Sequence, residues 1–445
     1  MRKTSLLLLC ASVVSVMYAQ STGELREYKR NSLAEMMIYH SEDEFGVEIY
    51  EAFMEKPKSD KYDDHNIGFF AIDNDSIENV KRTSHGLIKA EYGKVLNAAD
   101  IRKNAAMLEK ILNQQEIAKM MVAKWFGLEI DPDNFDINTA HFSMNLIQQR
   151  GQYNASELDV NKAIQTARGL ATLSDAGEEL IGNTFVLISD ITYVTAEEKA
   201  AVAKAVLNVF GGILDAFTGN KSGSQIAQLG GDIADSFTGF TVKTHSYLYQ
   251  LEWNDSIAAI FYNNYYTPVP DYDKMMSFLM DDNTFRLKYV AHEYEYDGKS
   301  VIKGSYERPE LVKMVCTRSV DKNIAALQLA YEDFKVKTPV YEIVTDDKGR
   351  ISGYTAKIGM KEGITERSRF QVVQRIVDPE TNRTKYKYVA SLQPKKDKIW
   401  DNRYNAVTEK SEGSELQATT FKKTAGGEVL PGMLLIEGKY RKVTE

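Results

Sequence analysis

The stretch from residue 184 to 253 constrains the fold most, because two strand-like segments enclose a long insertion of helical character. The first segment, residues 184–194, is dense in β-branched and aromatic residues, which favour strands. The second, residues 241–253, places His245, Tyr247, Tyr249, Leu251 and Trp253 on one face by alternation. Together they predict the sheet of an α/β region that the insertion interrupts.

Residues 195–239 are predicted to form a helical hairpin inserted into this region. Capping boxes begin at Thr195 and Ser222, and apolar residues follow each at helical spacing. The two halves end in similar segments, one containing Phe217 and the other Phe237. Charged residues and Gly-Gly pairs interrupt the apolar runs, so we expect a packed hairpin and no membrane span in the mature chain. Phe217 and Phe237 are candidate contact residues.

The first 19 residues are typical of a secretory signal peptide. Arg2 and Lys3 precede a short apolar run that ends near the small residue Ala19. Cys10 lies inside the apolar run and lacks the small residue that a lipoprotein signal places just before its cysteine. We expect cleavage after Ala19, a mature chain that begins at Gln20, and export to the periplasm or cell envelope.

One cysteine, Cys316, remains in the mature chain, which excludes an intramolecular disulfide. Its helical, partly apolar context predicts a buried thiol rather than a nucleophile.

The most metal-like group of side chains is Asp60, Asp63, Asp64 and His65. Its spacing fits neither an EF-hand loop nor a zinc pattern, so a turn held by side-chain hydrogen bonds is the preferred interpretation and metal binding stays open. The sequence has no nucleophile elbow, no His-Glu-x-x-His motif and no complete P-loop. We therefore assign no catalytic, cofactor-binding or metal-binding residue.

The fold class predicted is α+β. Residues 1–19 are the signal peptide, 20–130 an N-terminal α/β region, 131–336 a central α/β domain with the hairpin 195–239, and 337–445 a small β-barrel-like domain. The barrel is inferred from short strands that alternate with turn signals after a linker containing Pro339.

Four further elements are predicted between residues 257 and 334. They are a returning strand at 257–266, a helix at 271–280, a strand at 284–296 and a long helix at 308–334 that starts with Pro309. The aromatic segment 261–266, with Tyr272, has the composition of a sugar-stacking surface, but aromatic rings on a half-buried strand are the commoner explanation.

Charge is unevenly distributed. Without the signal peptide the chain has 53 basic and 63 acidic residues, and residues 337–445 hold 21 and 15 of these. The last region is therefore at +6 and the rest of the mature chain at −16, which suggests domain docking or a charged partner.

Basic and aromatic residues alternate within that last region. Arg383, Lys385 and Lys387 fall on one face of a predicted strand, and Tyr386 and Tyr388 fall on the other. Such mixtures occur in nucleic-acid interfaces. A solvated basic face over a tyrosine-lined core explains the pattern more simply, so no nucleic acid is expected and the three basic residues are candidates for protein contact.

Several motifs resemble a family of secreted Bacteroidetes proteins to which no activity is assigned. They are Pro57-x-x-Asp-Lys-Tyr-x-Asp-His-Asn66, Ala123-Lys-Trp-Phe126, Gly182-Asn-Thr-Phe-Val186, Lys398-Ile-Trp-Asp-Asn-Arg403 and Pro431-Gly-Met-Leu434. The resemblance covers most of the mature chain and implies export, but it transfers no site. The element order is also loosely similar to envelope proteins of the flagellar-assembly T and curli-secretion G kind, which is a likeness of fold alone.

These observations lead to two hypotheses about function. The first is a non-enzymatic secreted or periplasmic envelope protein that acts in assembly or protein–protein interaction, with envelope proteins or a second copy as partner and no cofactor. The alternative is a secreted protein that binds or cleaves carbohydrate through its tyrosine-rich segment.

Overall fold

A computed structural model describes the chain at residues 31–59, 61–64, 67–68, 70–80, 87–88, 96–130, 134–153, 180–195, 240–298, 302, 304–335, 337–377 and 384–438. The predicted signal peptide, nearly all of the helical hairpin with Phe217 and Phe237, and Arg383 lie outside these residues. The fold is α+β, as the sequence predicts, and it is built on two sheets.

The central sheet has the strand order β2-β1-β4-β5-β6, and β3 also pairs with β1. Its strands are Ser32–Tyr39 (β1), Asp63–Asp64 (β2), Ala71–Asp73 (β3), Thr184–Tyr193 (β4), Thr241–Leu251 (β5) and Leu287–Gly298 (β6). β1 is parallel to β2, β3 and β4, whereas β5 is antiparallel to β4 and β6. The two strands predicted around the insertion are therefore direct neighbours, paired from Phe185 with Gln250 to Tyr193 with Val242.

Helices cover both faces of the central sheet. They are Gly46–Glu55 (α1), Asn74–Val80 (α2), Ala98–Gln114 (α3), Ile117–Trp125 (α4), Asn145–Tyr153 (α5), Asp255–Ile260 (α6), Tyr272–Met280 (α7) and Arg308–Ala330 (α8). α3, α4 and α7 bury one face, and α1 and α8 bury the other. Because side chains alternate along a strand, Leu33 and Ala34 of β1 enter different cores.

The long helix α8 is buried around most of its circumference. It packs against β5, β6 and α1 on one side, and its Arg318 reaches the C-terminal region, donating to the backbone carbonyl of Tyr404. Cys316 in the middle of α8 is fully buried, as predicted. A helix enclosed in this way lacks a polar face, which explains the weak amphipathicity of its sequence.

The C-terminal sheet has the order β7-β13-β10-β11-β12-β9-β8 and is antiparallel throughout. Its strands are Lys337–Pro339 (β7), Ile343–Thr345 (β8), Ile351–Ala356 (β9), Arg369–Val377 (β10), Thr384–Pro394 (β11), Thr419–Gly426 (β12) and Leu434–Gly438 (β13). The sheet curls around a core in which the rings of Phe370 and Phe421 lie 5.1 Å apart. Within the described residues β7 and β8 do not pair, so the predicted barrel is a half-barrel and is not closed.

The predicted strand at 257–266 is wrong. Asn254 accepts hydrogen bonds from the backbone amides of Ser256 and Ile257 and starts α6, and residues 261–265 continue it as a π-helix. Aromatic rings that suggested a strand pack instead as one side of this helix, because burial of the rings outweighs their strand propensity.

Candidate functional site

The paired strands β10 and β11 extend beyond the rest of the C-terminal sheet. β13 pairs with β10 only as far as Val373, and β12 pairs with β11 only from Ala390 onward. We call residues 374–377 and 384–388 the ribbon, since no other strand pairs with them among the described residues. A β-bulge between Val372 and Val373 marks its base, and bulges bend and twist a strand.

The ribbon exposes apolar side chains. Ile376, Tyr386 and Tyr388 are 36%, 41% and 49% exposed. The prediction of a tyrosine-lined core is therefore wrong for Tyr386 and Tyr388. The core of this sheet ends at Val372 and Ala390, both fully buried, and Tyr386 and Tyr388 lie outside it.

Local contacts hold the two tyrosines. The Lys337 ammonium lies 4.8 Å from the ring centroid of Tyr386, a cation–π contact. The hydroxyls of Tyr388 and Ser391 are hydrogen-bonded at 2.9 Å. Two-stranded ribbons are only marginally stable in water, so these contacts help to keep the exposed rings in place.

The structure tests only part of the predicted set of contact residues. Lys387 is exposed on the ribbon, opposite Gln374. Lys385 lies in β11 opposite Ile376, and its side chain is outside the described part. Arg383, Phe217 and Phe237 are outside it altogether.

A buried charge cluster lies where the chain leaves α1 and crosses β1. Lys56 Nζ is 2.5 Å from Glu35 Oε2, and the two side chains are only 6% and 10% exposed. The backbone amide of Ser59 donates to the other carboxylate oxygen at 3.3 Å. A cavity of about 50 Å³ lies beside this pair, lined by the rings of Phe53, Tyr62 and Phe70 among others.

The cluster continues to α8 and the C-terminal region. Asp321 and Gln328 of α8 line a water-sized cavity together with Lys61 and Lys361. Asp321 Oδ2 and Gln328 Oε1 are enclosed and accept no hydrogen bond. Two acceptors without a donor beside one small cavity have the arrangement that a buried water satisfies.

The electrostatics of Asp321 follow from this enclosure. Burial raises its pKa to about 7, while Lys361 and then Lys56 lower it and the carboxylates of Glu35 and Glu362 raise it further. The residue keeps part of its surface in solvent although Oδ2 is enclosed. Its charge state therefore changes near neutral pH.

The sequence prediction missed this cluster. The available signal was Glu35, an acid inside the apolar run of β1, because a buried carboxylate needs a cation or hydrogen-bond donors. Tyr62, part of the motif shared with the secreted family, accepts a hydrogen bond from Gln328 and stacks on Phe334 with centroids 5.1 Å apart. In this chain that motif carries a packing role at the edge of β1.

A second polar cluster lies on the α3 side of the central sheet. His40 Nε2 is 2.6 Å from Asp190 Oδ1, and both residues are buried at the carboxyl ends of the parallel strands β1 and β4. His245 Nδ1 lies 2.9 Å from His292 Nε2. Burial lowers the pKa of His245 and of His292 to about 4, so both rings are neutral at pH 7.

This histidine cluster belongs to the interior. Tyr247, next to it on β5, is fully buried and accepts a hydrogen bond from Asn104 of α3 at 3.1 Å. The polar groups pair across β1 with β4 and across β5 with β6, while His245 Nε2 is enclosed and makes no hydrogen bond. Burial of the cluster within the sheet indicates a structural role.

The structure also describes Cys316 and part of the metal-like group predicted from the sequence. Burial, and then Asp297, raises the pKa of the Cys316 thiol to about 12, so it is an inert buried thiol. Of the metal-like group, Asp63 lies half-buried in β2, while Asp60 and His65 are outside the described residues. No group of three or more potential ligands that could hold a metal is found in the described part of the chain.

The aromatic segment 261–266 packs inward. Phe261 is fully buried and its ring lies 4.3 Å from that of Phe126, and Tyr265 is 8% exposed. Tyr272, by contrast, is 51% exposed on α7.

Comparison with known proteins adds no identification. Neither the protein-family models nor the curated proteins that were searched contain a match to this chain. In the described residues no helix combines the length and apolarity that a membrane span requires.

Proposed function

We propose that this protein is exported to the periplasm or cell envelope and acts there in assembly through protein–protein contacts, without catalysing a reaction. The single observation that carries the proposal is the ribbon, which holds Tyr386 and Tyr388 in solvent on one face and Ile376 and Lys387 in solvent on the other.

The side chains on the ribbon are those that binding surfaces favour. Tyrosine supplies a large amphipathic contact area for few rotatable bonds, and it is enriched among residues that dominate binding energy. Exposed strand edges also offer backbone groups for pairing with another chain.

The C-terminal region, from which the ribbon extends, is held against the rest of the molecule by buried contacts. The Arg318 guanidinium lies 3.0 Å from Glu409, and both side chains are at most 3% exposed. Arg318 also donates to the backbone carbonyl of Tyr404 at 2.6 Å. These contacts join α8 to the C-terminal region, and a surface that is already positioned loses less entropy on binding.

Site-specific photo-crosslinking in the producing cells tests the proposal. A photoreactive residue at position 388 is compared with one at position 351, since Tyr388 and Ile351 are similarly exposed, at 49% and 54%, in the same sheet. We expect discrete protein adducts from position 388 and none from position 351. No adduct from position 388, or the same adducts from both positions, would reject the proposal.

The carbohydrate alternative depends on the segment 261–266. Phe261 and Tyr265 of that segment pack in the core. No observation on these two rings therefore favours carbohydrate binding over protein contact.

A further inference from the structure

The edge of β1 that faces β2 and β3 is uncovered along part of its length. β2 pairs with β1 only as far as Leu33, and β3 pairs with it only from Met37 onward. Residues 34–36 therefore have no strand partner on this edge among the described residues. The cavity of about 50 Å³ beside the buried charge cluster lies at this gap, since Ala34 and Glu35 line it.

The cavity opens to the surface and has a mainly apolar wall. Met54 is 43% exposed, Lys58 is also exposed, and both line the cavity. Phe53 and Phe70 contribute their rings to the wall. The volume is about a third of the roughly 150 Å³ that accommodates benzene. The cavity therefore encloses a ligand group of only a few non-hydrogen atoms.

Lys56 places a buried ammonium group in this wall. Its side chain is 6% exposed, and Nζ lies 2.5 Å from Glu35 Oε2 and 5.2 Å from the ring centroid of Phe53. An ammonium group carries three N–H donors. The Glu35 carboxylate is the only hydrogen-bond acceptor found for them among the described residues, so the wall holds N–H groups that still lack an acceptor.

The other polar groups at the gap add donors more than acceptors. Both oxygens of Glu35 already accept a hydrogen bond, one from Lys56 and the other from the Ser59 amide. Met37 donates its backbone amide to Phe70 across this edge. Because backbone groups alternate along a strand, Glu35, two residues earlier, directs its own amide to the same edge.

The charges around the cavity balance one another. The Lys58 ammonium lies 5.5 Å from the ring centroid of Phe70. Half-buried Asp63 lines the cavity as well, so the carboxylates of Glu35 and Asp63 match the two lysines in number. Net charge therefore does not select the ligand, whereas the N–H donors do. A carboxylate offers two acceptor oxygens and gains charge-assisted hydrogen bonds from an ammonium group.

We infer that this cavity binds a short-chain aliphatic monocarboxylate. The carboxylate accepts hydrogen bonds from Lys56 and from the Glu35 amide, and a chain of about two or three carbon atoms lies against Phe53 and Phe70. Small-molecule sites commonly combine an apolar wall with a few placed polar groups in this way. Binding of such an acid goes beyond the proposed function and does not depend on the ribbon.

Isothermal titration of the purified mature protein with sodium propionate, at constant ionic strength, tests the inference. We expect saturable binding at one site, with a dissociation constant of about 1 mM or lower. Propionamide has the same shape but no charge, so it should bind at least about tenfold more weakly. Propionate should also raise the temperature of thermal unfolding, because a ligand of the folded state stabilises it.

Variants connect the binding to the named groups. The double variant Glu35→Gln/Lys56→Met removes the ammonium without leaving a buried carboxylate unpaired, and it should lose propionate binding. Lys58→Met, at an exposed position, should bind several-fold more weakly. Lys348→Met, at an exposed lysine of a turn in the C-terminal region, is the matched control and should bind as the parent does.

Absence of saturable binding would mean that water alone fills the cavity and would overturn the inference. Equal affinity for propionate and propionamide, or a folded double variant that binds propionate as the parent does, would also overturn it. If thermal unfolding shows that the double variant is not folded, Lys58→Met decides in its place, and an unchanged affinity there would reject the site.

Discussion

Replacing Asp321 by asparagine should stabilise the protein at alkaline pH and leave its stability nearly unchanged near pH 4. The carboxyl group lies between α8 and the C-terminal region with Oδ2 enclosed and without a donor. Enclosure favours the protonated form, which is why its pKa rises from 3.8 to about 7.

The sign follows from proton linkage. Between pH 4 and pH 7 the folded protein binds a proton at Asp321 that the unfolded chain has already released. The contribution of Asp321 to the free energy of unfolding is therefore fully present below pH 3.8 and is lost as pH rises through about 7. An asparagine side chain has the same shape and never ionises, so the variant escapes this loss.

The magnitude has an upper limit set by the shift. A shift of about three pKa units corresponds to roughly 4 kcal/mol at pH 8. Asp321 keeps part of its surface in solvent and the cations of Lys56 and Lys361 lie near, so we expect about 1–3 kcal/mol instead.

Urea unfolding followed by tryptophan fluorescence between pH 4 and pH 8 measures the effect. The midpoint of the Asp321→Asn variant should exceed that of the parent increasingly as pH rises. Asp347→Asn, a change at an exposed turn residue, is the matched control and should show no such trend. A variant no more stable than the parent at pH 8, or a difference that is the same at every pH, would refute the reasoning.

Three other predictions follow from the same physics and from the sequence. Because burial, the largest cause, lowers the pKa of His245 and His292 from 6.5 to about 4, the unfolded chain binds more protons in that window. The free energy of unfolding should therefore fall as pH drops from 6.5 to 4. The variant His292→Gln should show a smaller fall, whereas the control His141→Gln, at an exposed histidine, should behave as the parent does. Equal slopes in the parent and both variants would contradict the assignment of this fall to the buried histidines. Intact-mass analysis of the exported protein should give an N-terminus at Gln20, and a diacylglyceryl group there would count against the signal-peptide prediction. Residues 338–445 expressed alone should unfold cooperatively as a separate unit; an insoluble or molten product would place the boundary elsewhere.

Local pattern was enough to predict three of the six strands of the central sheet, β4, β5 and β6. The alternation in residues 241–251 reads directly as a strand with one face in the core, because side chains on a strand alternate whatever the strand pairs with. The start of α8 at Arg308, with Pro309 in the first turn, and the burial of Cys316 are likewise local features.

Other features depend on what is brought near from elsewhere in the chain. Residues 257–266 form helix because their rings find Phe126 and Phe142, more than 100 positions away in sequence. Tyr388 is exposed because β12 and β13 stop short of it, and no pattern within β11 reports where neighbouring strands end.

The buried charged residues show most clearly which features the sequence determines and which depend on the tertiary structure. The sequence alone determined that Glu35 is an acid within an apolar run and that Asp321 falls within the long helix predicted at 308–334. Only the tertiary structure decided that Lys56 pairs with Glu35 and that Asp321 Oδ2 accepts no hydrogen bond. The physical reason is that burial and Coulomb energies depend on distances in space, whereas periodicity and capping depend on distances along the chain.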